Sequence, residues 1–290
     1  MSILDARRMP LYFLSHGGGP WPYMNGPMRK HFDLLERSLQ DIPRQLPRKP
    51  KAVLVISGHW EETEFTISSG SSPGMVFDYY GFPPETYQIS YPAPGDPLLA
   101  ERVGDMLSRA GWPARLDGER GYDHGTFSMM KPIYPDADVP VVQVSLKRSF
   151  DPAEHFEMGR TLGPLRDDDV LIIGSGLSTH NLRDRGPQMA QPSAAFDQWL
   201  RHTLGHSDPA ARKEALEHWE QAPAARRNHP REDHLIPLMV VAGAAGEDPA
   251  TPIYGELFMG SMTASSFRFS AETSRSPFDL LSAPTASAAL

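Results

Sequence analysis

The 290-residue chain contains no cysteine. Disulfides, a thiol nucleophile and thiolate-bound metal or iron–sulfur centres are therefore excluded. No apolar run approaches the roughly 18 residues needed to span a bilayer, so no membrane segment is expected. The opening MSILDARRMP has no apolar core, which argues against a secretory signal; a cytoplasmic location is expected. Lys+Arg number 28 against 36 Asp+Glu, a net charge of −8, and form no basic block. A nucleic-acid partner needs a basic face, so none is expected. The common phosphate and nucleophile motifs are missing as well. Gly17-Gly18-Gly19 is not followed by Gly-Lys-Ser/Thr, and Gly174-Ser175-Gly176 has neither the third glycine of a dinucleotide fingerprint nor GxSxG spacing. Ser175 is read as part of a structural turn.

What is present is 40% hydrophobic and 22% charged residues, enough for a sizeable core. The 29 prolines make many connections stiff. The 11 histidines matter more: without cysteine, they direct any transition-metal site toward imidazole and carboxylate ligands.

Short apolar runs alternate with helical patterns. LYFLS (Leu11 to Ser15), AVLVIS (Ala52 to Ser57), VPVVQVSL (Val139 to Leu146) and VLIIGS (Val170 to Ser175) read as strands buried on both faces. Leu98, Leu99, Val103, Met106, Leu107 and Ala110 keep a 3.6 period between an Asp96-Pro97 start and Gly111. Asp151-Pro152 and Asp208-Pro209 repeat that opening. Phe196, Trp199 and Leu200 suggest another helix, as do Leu216 and Trp219, and a last one is expected from about Asp233 to Ala244. The Gly-, Pro- and aromatic-rich stretch between Trp60 and Pro94 reads as a surface excursion, and Tyr254 to Ser270 as one or two antiparallel strands. Strands alternating with helices predict a single α/β domain over residues 1–270, a mostly parallel sheet flanked by helices. The Ser/Ala/Pro-rich tail, 271–290, is expected to be flexible.

The histidines fall where such a sheet binds ligands, beyond the carboxyl ends of its strands. His16 follows the first run directly, His59 follows the second after one glycine, and His180 lies five residues past the run ending at Ser175. Taken singly, each reads as a hydrogen-bonded loop residue; together they suggest a joint metal site in one crevice. His234 sits where a helix is predicted to begin, and His124 in a short polar turn, YDHGTF. His31, His155, His202, His206 and His218 fall on predicted helix faces and are expected to be solvated, with His229 structural. Phe77, Tyr79, Tyr80, Phe82 and Tyr87 either wall a pocket for a planar ligand or pack a surface loop on itself.

These segments carry a resemblance. SHGGGP (Ser15 to Pro20), SGHW (Ser57 to Trp60), FDYYGFPPETYQISYPAPGDP (Phe77 to Pro97), DHGTF (Asp123 to Phe127), GSGLSTHNL (Gly174 to Leu182) and HPREDHLIPL (His229 to Leu238) resemble the 4,5-DOPA dioxygenase group of class III extradiol ring-cleavage dioxygenases. The likeness runs from about Leu11 to Phe269. It implies a mononuclear non-haem metal site at the strand ends, with His16, His59 and His234 as ligands. It implies His180 as a fourth ligand or an acid–base group, and His124 as a second acid–base group. The implied reaction opens a catechol ring with O2 to a muconate semialdehyde, with Fe(II) as catalytic metal and Zn(II) a second occupant of the site. His180 would take a substrate proton and His124 return one. The segment from Phe77 to Tyr87 would lie over the ring. The sequence departs from the usual two-His, one-carboxylate iron set, which leaves Glu232 or Asp233 as an alternative to His234. Two other readings compete: a zinc hydrolase of an amide or ester, with Glu232 or Asp233 as general base, and a non-catalytic Memo-type metal-binding module. The particular catechol and the oligomeric state are not legible.

Overall fold

A computed structural model describes residues 8–258 and 260–271. In chain order the elements are β1 (Leu11–Ser15), α1 (Pro27–Lys30), α2 (Asp33–Asp41), β2 (Ala52–Glu62), β3 (Phe65–Ser68), α3 (Pro97–Arg109), β4 (Ala114–Asp117), α4 (His124–Ile133), β5 (Val141–Lys147), α5 (Pro152–Leu162), β6 (Val170–Gly176), α6 (Ala190–Leu204), α7 (Pro209–Glu217), α8 (Ala225–Asn228), α9 (Ile236–Ala245), β7 (Ala250–Phe258) and β8 (Met262–Phe269). The expected tail, 271–290, lies outside the described residues except for Ala271.

The strands form one eight-stranded sheet in the order β4-β3-β5-β2-β6-β1-β8-β7. β5, β2, β6 and β1 are parallel neighbours, which makes this the α/β domain that strand–helix alternation predicts. β8 and β7 close one edge antiparallel, as the segment after Tyr254 suggests. The near-continuous apolar runs follow from burial on both faces. Leu11 and Phe13 join Leu54, Ile56 and Ile172 in one core, with α3, α5 and α9. Tyr12 and Leu14 join Val53, Val55 and Ile173 in the other, with α2 and α4.

The Asp-Pro openings act as predicted. Asp96, Asp151 and Asp208 each accept first-turn backbone N–H groups, and the proline that follows needs no partner there. Helix α9 is apolar and buried all round, so it takes no help from amphipathic patterning. It starts at Ile236, so His234 stands in the preceding turn and not inside the helix.

Three expectations need correction. His124 is not in a polar turn: it opens α4, whose residues are buried except Lys131 and whose Gly125 and Pro132 hide its helicity from propensity. Asp123 caps that helix by accepting from Thr126 N at 3.0 Å. β3 and β4 are short strands that no run announced. His155 is not solvated but fully buried in α5. Its Nε2 accepts from Lys147 N at 3.1 Å and its Nδ1 donates to Asp151 O at 2.7 Å, which ties the end of β5 to the start of α5. His31, His202, His206 and His218 are exposed, as expected.

Candidate metal centre

β1, β2 and β6 run parallel, so their carboxyl ends open on one edge of the sheet. His16 leaves β1 on the face already set by Tyr12 and Leu14, and its backbone N–H donates to Gly176 O at 3.2 Å. His59 sits in an irregularity of β2: Ile56 pairs with Val144, but the next pair is Glu61 with Leu146. Such a bulge re-aims side chains at a sheet rim. His234 is brought to the same rim because its segment lies directly on glycines. A Cβ at Gly176 would be 2.2 Å from His234 O, and one at Gly174 2.6 Å from Pro237 O.

The result is convergence. His59 Nε2 lies 3.2 Å from His16 Nε2 and 3.0 Å from His234 Nε2. The ligand atoms of all three lie within 4.8 Å of one another. His124 packs against His59 with ring centroids 3.9 Å apart, and His180 stacks on His234 at 3.4 Å. All five histidines singled out in the sequence therefore share one pocket.

Burial, with the neighbouring imidazoles, pushes His16 and His234 well below the ordinary histidine range. Burial likewise lowers His180 to about 3, and lowers His124 with help from His59. His59 is the exception: burial would lower it, but Asp78, Asp123 and Asp233 together hold it above its usual value. A cluster of mainly neutral imidazoles offers lone pairs and repels no cation, as metal ligation requires. Two ligand nitrogens about 2.1 Å from one ion at tetrahedral or octahedral angles lie roughly 3.0–3.4 Å apart. The 3.0 and 3.2 Å separations fit that spacing. The buried Nδ1 of His16 has no hydrogen-bond partner, and that of His234 has only the ion-pair contact with Asp233. The donor set therefore fits a single transition-metal ion.

The carboxylates stand behind the imidazoles. Asp233 Oδ2 is 3.3 Å from His234 Nδ1, and Oδ1 is 3.9 Å from His180 Nδ1. Glu232 is occupied by Arg226 at 2.6 Å. Ser175 is structural: its buried hydroxyl donates to Gly125 O at 2.6 Å. Two acidic residues escaped notice in the sequence. Asp78 touches both His59 (3.1 Å) and His124 (2.7 Å). Asp123 is fully buried and accepts from Ser57 Oγ at 2.9 Å and from Arg120 at 2.8 Å. Only the Asp-His adjacency at Asp123-His124 hinted at either. The aromatic segment fits both of its readings. Tyr79 meets Phe82 and Tyr87 at 5.3 and 5.1 Å, and also His124 at 5.8 Å.

Fold and site together define an α/β enzyme of a metal-dependent class, with an imidazole-rich centre at the carboxyl ends of its strands. Residues 10–269 match the family described as the catalytic LigB subunit of aromatic ring-opening dioxygenase, and the chain belongs to that family. It is 36% identical to the 4,5-DOPA dioxygenase extradiol of Beta vulgaris over 89% of this chain and 95% of that one. The Escherichia coli K12 protein of the same name is also 36% identical, over 90% and 94%. The dioxygenase tasH of Hapsidospora irregularis is 36% identical over 87% and 82%. A crystal structure of an uncharacterised Escherichia coli K12 protein superposes with a TM-score of 0.72 at 31% identity, over 90% of this chain and 99% of that one. The chain is an extradiol ring-opening dioxygenase, an oxidoreductase; the hydrolase and signalling-module readings are not favoured. Among the described residues no helix is long and apolar enough to cross a membrane.

Proposed function

We propose that the chain opens the ring of a catechol with O2 and that His16, His59 and His234 hold Fe(II). The observation that carries this is the meeting of three Nε2 atoms at 3.0 and 3.2 Å. Held by His16, His59 and His234, Fe(II) would supply Lewis acidity toward the catechol hydroxyls and redox chemistry toward O2. Zn(II) suits the same donors but has no redox chemistry, so it would occupy the site without turnover.

The protein's own groups do the rest. His124 packs against the ligand His59 and His180 against the ligand His234, so each acid–base group stands beside a different ligand. Their contribution is to take a hydroxyl proton and return one as the ring opens. His180 is neutral at physiological pH, held so by burial and by His229, His59 and His124. Among the described residues, the carboxylate within ion-pair reach of it is Asp233, 3.9 Å away. His124 has a carboxylate at 2.7 Å. The proton is therefore held longer on His124, while His180 acts as a hydrogen-bond acceptor that is protonated only in passing. Tyr79 packs edge-on against His124 at 5.8 Å, so the aromatic segment lines that side of the site.

The test is an oxygen-electrode assay on metal-stripped protein given Fe(II) without air, then a catechol, then air. Oxygen uptake with a yellow product is expected, and its loss in His59→Ala together with the metal. A His59→Ala protein that kept full iron content and activity would overturn the ligand assignment.

A further inference from the structure

We propose that Asp78 is a positioning residue that serves His59 and His124 with one carboxylate, and so couples metal retention to proton transfer. The inference rests on the ligand and acid–base assignment made above. Oδ2 of Asp78 lies 3.1 Å from Nδ1 of His59, and Oδ1 lies 2.7 Å from Nδ1 of His124. Oδ1 also accepts the backbone N–H of His124 at 3.1 Å. An ionised carboxylate only accepts hydrogen bonds. Both imidazoles therefore carry a proton on Nδ1, and when neutral both present a lone pair at Nε2. In His59 that lone pair faces His16 and His234; in His124 it is free to receive a proton.

The contrast with the other ligands strengthens the case. Nδ1 of His16 is buried without a hydrogen-bond partner, and Nδ1 of His234 has only the ion-pair contact with its neighbour Asp233 at 3.3 Å. Of the three proposed ligands, His59 has the shortest carboxylate contact at Nδ1, 3.1 Å against 3.3 Å for His234. A neutral imidazole without such a partner is free to carry its proton on Nε2, where it blocks a metal.

Asp78 also arrives from an unexpected direction. It belongs to none of the strands or helices that carry the histidines, but to the aromatic segment after Met75. That segment is braced internally, with Tyr79 Oη donating to Thr86 O at 2.5 Å, and is fixed to the chain before α4 through Val76 N and Tyr122 O at 2.7 Å. The aromatic wall is thereby part of the metal centre's support as well as its cover.

The test uses the full chain, metal-stripped, as wild type, Asp78→Asn and Asp78→Glu. Asparagine has one acceptor oxygen and turns its amide N–H2 on the second imidazole. Zn(II) affinity is measured against a chromogenic chelator, and ring tautomers by 15N–1H correlation spectra. In the wild type, His59 and His124 are expected to be Nδ1-protonated. In Asp78→Asn one ring should change tautomer and Zn(II) affinity should fall about 10–100-fold. Asp78→Glu should keep both tautomers and recover part of the affinity. With Fe(II) and a catechol, Asp78→Asn should lower kcat more than it raises KM. A wild-type His59 or His124 protonated at Nε2 would overturn the proposal, whether or not any variant folds. So would an Asp78→Asn protein that binds Zn(II) within threefold of wild type with both tautomers unchanged. Neither readout needs substrate, so failure of the wild type to consume oxygen would overturn the assigned reaction and leave the Asp78 result intact.

Discussion

Replacing Gly176 by alanine would place a methyl carbon 2.2 Å from the carbonyl oxygen of His234 and 3.1 Å from Cε2 of Phe13. Unbonded carbon and oxygen rest at roughly 3.3 Å or more, so the His234 backbone must retreat by about 1 Å. It has little freedom to do so gently. Helix α9 begins two residues later and is buried all round, and a Cβ at Gly58 would already lie 3.2 Å from Asp233 O. Overpacking of this kind costs about 1–3 kcal/mol, which lowers Tm by roughly 2–4 °C per kcal/mol in a domain of this size. The site suffers more than the fold. Ligand distances tolerate only about ±0.2 Å, so a 1 Å retreat removes His234 Nε2 from the centre. Losing a ligand costs more than the 10–100-fold typical of its supporting shell, so Gly176→Ala should lose at least about 100-fold in Zn(II) affinity while remaining folded. Chelator competition, thermal melts and oxygen uptake measure the three quantities. Wild-type affinity and uptake in this variant would refute the claim that glycine at the end of β6 admits the third imidazole.

His124→Ala and His180→Ala should each retain metal, because neither is among the three converging nitrogens, while turnover falls about 10²–10⁴-fold; metal content and oxygen uptake on one sample decide this. Stripping the metal with a chelator should abolish uptake, and Fe(II) but not Zn(II) should restore it. Acid should weaken the fold through two histidines outside the centre. His155 and His229, pushed down to about 4 chiefly by burial, stay neutral in the fold, whereas the unfolded chain protonates them near 6.5. Their stabilisation is therefore complete above about pH 6.5 and is lost as pH falls toward 4. At about 1.4 kcal/mol per unit, each gives up roughly 2 kcal/mol between pH 7.5 and pH 5. Urea melts of metal-free protein at the two pH values should show a loss that is smaller by about that amount in His155→Gln. Equal losses in wild type and variant would reject the assignment.

Much of the architecture is legible in local patterns because the forces behind it are local. Leu11 to Ser15 and Val170 to Ser175 read as buried strands from their apolar continuity alone, and Asp96, Asp151 and Asp208 announce helix starts by side-chain capping. Helix α4 was illegible because its stability comes from burial and from the Asp123 cap, not from the propensities of Gly125 and Pro132. Strands β3 and β4, of four residues each, are too short to show a period.

The same division holds for the site. Residue type and strand-end position nominated His16, His59 and His180 without any family likeness, since parallel strands share one carboxyl edge. The likeness added His124 and His234. What the order of residues does not carry is the meeting of His59 and His234, 175 positions apart, or the placement of Asp78 behind two rings at once. Those depend on how closely backbones approach over Gly174 and Gly176, and on where an aromatic segment outside the sheet comes to rest. Such distances arise only when all the layers pack together.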